Sequence, residues 1–464
     1  MNAPPPVDVT QALWRDIEVA PLGALDARAR LSVLIDGDVS AATAAAIAAQ
    51  TYPAELTEVA SGEPDGEVVV VVPAGASPAP EFLEAHARWH HAAGDVVSLG
   101  PIASEHAEGD ASLGLVRDLT RDLTDFAGAC HLGAADGTIG VRRELFAEAG
   151  GIGSAPPELR GLDLLYRLHC AGAVFVAEPA AGARGRGGAL ALAIARACAE
   201  GETLELALPD AAALVPLPPF RGVAPARRHA RPALVVNVPV DSATAADEAL
   251  ATVAEALGGM LGDLELRVQV EESHPAHAAL AAAVAADRRA LIGPSSLGEP
   301  CESPFQATVP PAAALDPRTL ADLHELALGE EAGALHVTVP GAAPQDAMIE
   351  LVATAAWRRA GRLSASHDEP VEVIIGRLFG ERWMSGVEVS TRRHGVDEPQ
   401  VTEHGPLAAA TDLEHERNAH LRFRERAEDL AERAETLGRR ALAERLRARE
   451  ERRAAERVEA RLDG

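Results

Sequence analysis

The chain has 464 residues, of which 47% are hydrophobic and 24% charged, enough for two or three domains with cores of their own. Aromatic residues make up only 3%, so those cores must be built from Ala, Val and Leu. The formal charge of −28 opposes a nucleic-acid partner, and the complete absence of Lys excludes Schiff-base and Lys-dependent phosphate chemistry.

The charge is unevenly spread. From Asp412 to Gly464 there are 14 Arg against 14 acids, so the preceding residues carry the entire −28. Cys130, Cys170, Cys198 and Cys301 are scattered without a C-x-x-C spacing and read as small core residues in a reducing compartment. The N-terminus has neither a basic nor an apolar region of the kind a signal peptide needs. The most apolar run, from Gly188, contains Arg196 and is too short to span a bilayer. These features predict a cytoplasmic protein with no transmembrane segment.

Residues 1–28 read as a Pro-rich leader with a short helix. Leu31 to Ile35 is a buried-strand pattern, and the Ala-rich stretch from Ser40 is a helix that Ser40 caps and Pro53 ends. The β-branched run from Glu67 reads as a central parallel strand. A helix follows in the stretch Ser77 to Asp95, then a strand from Val96, and this alternation predicts an α/β sheet. A second α/β unit opens near Arg231: PALVVNVPVDSATAADEAL repeats the order of LSVLIDGDVSAATAAAIAA, and FQATVPPAAALDPRTLADLHEL echoes VVVVVPAGASPAPEFLEAH. Two echoes in one order suggest an internal duplication, although Ala-rich α/β chains echo one another by chance as well.

Gly137 to Gly172 carries the most specific pattern: Arg142 and Arg143, Phe146, Gly150 and Gly151, Asp163, Arg167, Leu168 and Gly172. Upstream stand Gln50-Thr51-Tyr52-Pro53 and Ser77-Pro78-Ala79-Pro80-Glu81-Phe82-Leu83. Together these resemble the family 2 glycosyltransferases, nucleotide-sugar enzymes of GT-A fold, over roughly residues 30–185. The resemblance implies a catalytic base at Asp163, although a lone helical Asp also reads as a surface charge paired with Arg167 one turn on. It also implies donor or phosphate contacts from Arg167 and from Arg184 and Arg186 in the Gly-Ala-Arg-Gly-Arg-Gly-Gly loop.

Several positions depart from the family pattern. Leu162 stands where the family has Glu. Such transferases hold Mg2+ or Mn2+ through an Asp-x-Asp at a strand end, and here that position falls on Pro73-Ala74-Gly75. Ala60 and Ser61 replace the acids that grip the base, and the family's helix, strand and A-R-N segment are missing between Asp65 and the Val-rich strand. Asp36 and Asp38, in Asp-Gly-Asp after the first strand, are substitute donor ligands or simply turn formers. The second unit has Pro310-Pro311-Ala312 at its own strand end, with Asp241 and Glu271-Glu272 at two others. Neither His90-His91 nor His274/His277 has the spacing or third ligand of a zinc site.

The expected layout is a leader (1–28), a GT-A-like domain (29–190), a linker (191–230), a second degenerate GT-A-like domain (231–385), a linker (386–411) and a charged helix or coiled coil (412–464). The resemblance implies a glycosyltransferase-like protein of cell-envelope glycan or polymer assembly with an eroded donor and metal site. It would take a nucleotide-sugar donor, and no cofactor other than Mg2+ or Mn2+ where that site survives. The alternative is a non-catalytic pseudo-glycosyltransferase, a scaffold or partner subunit that joins a second copy or a cognate transferase through 412–464.

Overall fold

The computed structural model describes residues 19–25, 28–60, 62–104, 137–185, 204–217, 220–221, 229–285, 287–293, 302–329, 332–339, 348–367, 369–385, 389 and 391–393. Arg186, nearly all of the leader and the segment 394–464 lie outside these, and with them the expected terminal helix. The described residues form one compact unit built on two main sheets.

The first half runs β1 (Leu31–Asp36), α1 (Ala41–Ala48), β2 (Thr57–Ala60), β3 (Val68–Pro73), β4 (Ser77–Pro78), α2 (Phe82–Ala92), β5 (Val96–Gly100), β6 (Ile102–Ser104), β7 (Thr138–Arg142), α3 (Arg143–Glu148), α4 (Arg160–Cys170), β8 (Val174–Ala177) and β9 (Ala183–Gly185). The main sheet has the order β2-β1-β3-β7-β5-β8, with β7 antiparallel to both neighbours. β3 is buried along its valines, as a central strand covered on both faces must be. The Ser40 hydroxyl accepts the Thr43 N–H at 3.0 Å and starts α1.

The Gln-Thr-Tyr-Pro stretch is a staple. Gln50 donates to the Ala79 carbonyl at 2.7 Å and accepts the Leu83 N–H at 3.0 Å, tying the end of α1 to the start of α2. The buried Tyr52 donates its hydroxyl to the Ala29 carbonyl at 2.6 Å, and burial pushes its pKa up to about 12.

After α5 (Pro209–Leu214), the second half runs β10 (Leu234–Val240), α6 (Ala246–Gly258), β11 (Leu264–Val270), α7 (His277–Val284), β12 (Ala290–Ile292), β13 (Phe305–Thr308), β14 (Ala313–Leu315), α8 (Thr319–Gly329), β15 (Ala334–Thr338), β16 (Met348–Ala353), α9 (Thr354–His367), α10 (Val371–Leu378), β17 (Glu381–Ser385) and β18 (Thr391–Arg393). Its sheet has the order β12-β11-β10-β13-β16-β15-β17, with β16 antiparallel to β13 and β15. Strand for strand this is the order of the first sheet with β12 added at the edge. The small antiparallel pairs match too, β4 with β9 and β14 with β18.

Part of the stretch 191–230, expected as a linker, is packed into the fold. Ala211, Ala212, Val215, Leu217 and Phe220 are buried, and Arg221 forms a 2.8 Å ion pair with Asp263, both side chains 1% exposed. At the junction of the halves, Gly172 ends α4 with φ 76° and lies against α9, where an added Cβ would come within 2.6 Å of the Ala355 carbonyl oxygen. No helix among the described residues is long and apolar enough to cross a membrane.

Under α2 lies a buried polar chain whose direction follows from its donors. Thr138 donates to the Ala181 carbonyl at 2.9 Å and so accepts from His86 Nε2 at 3.2 Å. His86 Nδ1 then accepts the Ser98 hydroxyl at 2.8 Å, and Ser98 accepts from His90 Nε2 at 3.2 Å. Both imidazoles are neutral, and burial holds their pKa values down at about 3; burial likewise lowers His169 and His324 to about 4. The unfolded chain therefore takes up more protons than the folded one below about pH 6.5, and stability falls as pH drops from there toward 3–4. Each such histidine costs about 1.4 kcal/mol per pH unit. The urea midpoint should fall steadily between pH 7 and pH 5. His324→Leu should flatten that slope, since the His324 ring packs edge-on against Phe305 and has no hydrogen-bond partner among the described residues.

Candidate functional site

The β2–β3 connection borders a cavity. A parallel crossover ordinarily spends a dozen or more residues, usually including a helix. Here residues 61–67 suffice, because β2 is only four residues long. The return lies flat on β1: the Gly66 N–H donates to the Ser32 hydroxyl at 2.7 Å, and a Cβ at Gly66 would collide with the Leu31–Ser32 backbone. Glu58 anchors it by accepting from the Ser32 hydroxyl and from the Asp65 N–H at 3.0 Å. Between this return and the α3–α4 segment a cleft of about 1030 Å³ opens over the upper parts of β1 and β2. In the second sheet the same connection, residues 271–304, holds α7 and β12.

The cleft reaches the C-terminal end of β1, between β2 on one side and β3 on the other. Such a switch in strand order is where open α/β sheets commonly take ligands. Leu34, Ile35, Val59, Phe146 and Ile152 supply apolar walls. Asp36 and Arg160 meet there in a 2.8 Å ion pair, and Arg160 also donates Nε to the Ala155 carbonyl at 3.2 Å. Glu63, Asp65, Arg143 and Glu144 complete the charged rim. Arg143 donates to the Asp65 carbonyl at 3.1 Å.

The expected site residues separate. Asp36 lines the cleft, whereas Asp38 is exposed and is not part of the lining. Arg184 is exposed on β9, opposite Ser77, and the next residue, Gly185, lies against Gly75 and Ala76. That strand therefore runs beside the Pro73-Ala74-Gly75 turn, outside the cleft lining. Asp241 accepts from the Ala243 N–H at 2.9 Å and the Thr244 hydroxyl at 2.8 Å, an Asx turn that holds its carboxyl below the usual range.

Asp163 does not take the exposed rim position that a base requires. It is 3% exposed, lies outside the cleft lining, and both its oxygens are engaged. Oδ2 accepts from Arg167 Nε at 3.0 Å, and Oδ1 accepts from Arg231 at 2.7 Å. Arg167 is itself buried, and its remaining reach goes to the Ala149 carbonyl rather than toward a ligand. Arg231 comes from the start of the second half. It also pairs with Glu302, donates to the Leu214 carbonyl at 2.8 Å and lies 5.4 Å over the Tyr166 ring. Tyr166 donates its hydroxyl to the Glu302 carbonyl at 2.7 Å. The helix expected to present a base thus carries a clamp between the halves.

Sequence reading passed over Arg160, Arg231 and Glu302. Arg160 sits one turn before Asp163, and its spacing alone could have drawn notice; Arg231 and Glu302 are distant in sequence and carried no local signal. As for a metal, Pro73, Ala74 and Gly75 offer no side-chain oxygen, and among the described residues no group of three or more His, Cys, Asp or Glu is placed to hold an ion. The residues at the expected position do not fit a hard divalent cation.

No protein-family model matches the chain, and no curated protein is significantly similar to it. Solved structures that align with it include a mannosyltransferase from Pyrobaculum calidifontis in complex with GDP-Man and Mn2+ (15% identity, TM-score 0.26, 38% of this chain and 61% of that one). S. aureus TarS 1-349 in complex with UDP-GlcNAc aligns at 14% identity and TM-score 0.22, over 28% of this chain and 47% of that one. The glycosyltransferase GlyE of Streptococcus pneumoniae TIGR4 aligns at 15% identity and TM-score 0.23, over 40% and 50%. The chain spans about half to three-fifths of the length of these proteins, and likeness at this level assigns no activity.

Removing one partner from a buried charge cluster leaves the other charges uncompensated, which typically costs about 3–5 kcal/mol. Asp163→Asn should therefore lower unfolding free energy by that order in urea titration. In a double-mutant cycle with Arg231→Met the two losses should be strongly non-additive. A variant of wild-type stability would show that these charges do not clamp the two halves together.

Proposed function

We propose that this chain is a glycosyltransferase-like protein that holds a nucleotide-sugar donor, or its nucleotide part, without metal-assisted transfer. One observation carries this reading. An open cleft at the end of β1 stands beside a β3 end, Pro73-Ala74-Gly75, that has no oxygen ligand for the cation a diphosphate leaving group needs. The same erosion occurs after β13, at Pro310-Pro311-Ala312, in a sheet of matching strand order. That agreement supports a duplicated ancestor in which both copies lost the metal position. The clamp on Asp163 fits the same reading, because both carboxylate oxygens are taken up by guanidiniums and neither is open to an acceptor hydroxyl.

Isothermal titration with a panel of nucleotide sugars, with Mn2+ and separately with EDTA, tests the proposal. The expected result is binding of one nucleotide class with the same affinity in both buffers and no release of nucleoside diphosphate over hours. Turnover that appears only with Mn2+ would show that a donor site survives and would overturn it.

A further inference from the structure

Without a metal ion, the cleft must meet a ligand's negative charge with its own side chains. Two guanidiniums line it. That of Arg143 is 45% exposed, already donates to the Asp65 carbonyl, and sits 4.0 Å from Glu144. That of Arg160 is 30% exposed and is fixed from two sides, by Asp36 on one terminal nitrogen and by the Ala155 carbonyl on Nε. Its other terminal nitrogen has no protein partner among the described residues.

We propose that Arg160 is the anion anchor of this cleft, binding the diphosphate oxygens of a nucleoside diphosphate in place of a metal ion, with Asp36 as its positioning residue. The proposal rests on the nucleotide-binding reading above. A guanidinium suits the task because its planar fork matches phosphate oxygens in pairs and its charge cannot be lost near neutral pH. Asp36 is 12% exposed and holds the fork in one orientation before a ligand arrives, so little side-chain freedom remains to be lost on binding. Glu63, Asp65 and Glu144 oppose an anion, but all three are exposed on the rim, where salt screens them. Arg160 lies deeper, beside the apolar walls, where its attraction is screened less.

The test uses the full chain in EDTA, titrated with UDP, GDP and ADP and with the matching nucleosides uridine, guanosine and adenosine. One diphosphate should bind at least tenfold more tightly than its nucleoside. Arg160→Gln should abolish that difference, and Arg160→Lys should restore part of it by returning the charge without the fork. Asp36→Asn should bind the diphosphate as tightly as wild type or more so, because the amide oxygen still accepts from Arg160 while the competing charge is gone. Melting temperatures of the unliganded variants establish that each is folded. Equal binding by wild type and Arg160→Gln, or a requirement for Mn2+, overturns the proposal while leaving nucleotide binding in place. Wild-type protein that binds none of the six compounds, in EDTA or in a parallel titration with Mn2+, overturns the nucleotide reading itself, and this anchor with it.

Discussion

The cluster of Asp163, Arg167 and Arg231 is the constraint on which the arrangement of the two halves depends. Asp163 is nearly sealed from water, and a carboxylate in that position is tolerable only with matched cations and hydrogen bonds around it. Arg167 supplies one from the same helix, and Arg231 supplies the other from the far side of the junction. The second contact ties the chain just before β10 to α4. The C-terminal end of α4 is held from the same side, since Arg362 donates to the Ala171 and Gly172 carbonyls at 2.5 and 2.8 Å. A cation at exposed helix-terminal carbonyls is favourable both as a hydrogen-bond donor and through the helix dipole. α4 is therefore fixed along its length by residues of the second half.

With α4 fixed, Arg160 on its first turn is fixed too, and the cleft takes its form from that. Arg160 reaches the end of β1, while the shortened β2–β3 return closes the opposite side. The second sheet has the same strand order but keeps α7 and β12 in the corresponding connection. The length of a single crossover thus distinguishes the half with the described cleft from the half that carries a helix and an extra edge strand at that point.

The residues that resemble a transferase are distributed among three physical roles. Gln50 and Tyr52 are joints between elements, and their partners are backbone atoms. Gly172 is a helix terminator that also permits α9 to approach. Asp163 and Arg167 have become part of an internal charge cluster.

Much of the architecture was legible in the chain itself. Val68 to Val72 had to be a covered central strand, Ser40 had to begin a helix, and the echo between the stretches at Leu31 and Leu234 anticipated two sheets of like order. That Pro73-Ala74-Gly75 offers no side-chain oxygen was legible too, because side-chain chemistry at a strand end is local information. The fate of Asp163 was not, since the sequence offers Arg167 one turn away but gives no sign that Arg231, 68 positions on, would complete the cluster. Nor could it distinguish Asp36, which meets Arg160 across the cleft, from Asp38, which faces solvent. Periodicity, caps and turn residues depend on neighbours within a few positions, so the sequence determined the elements and their order. Which charges meet depends on how those elements pack, and only the tertiary structure decided whether a carboxylate ended in a cleft or in a clamp.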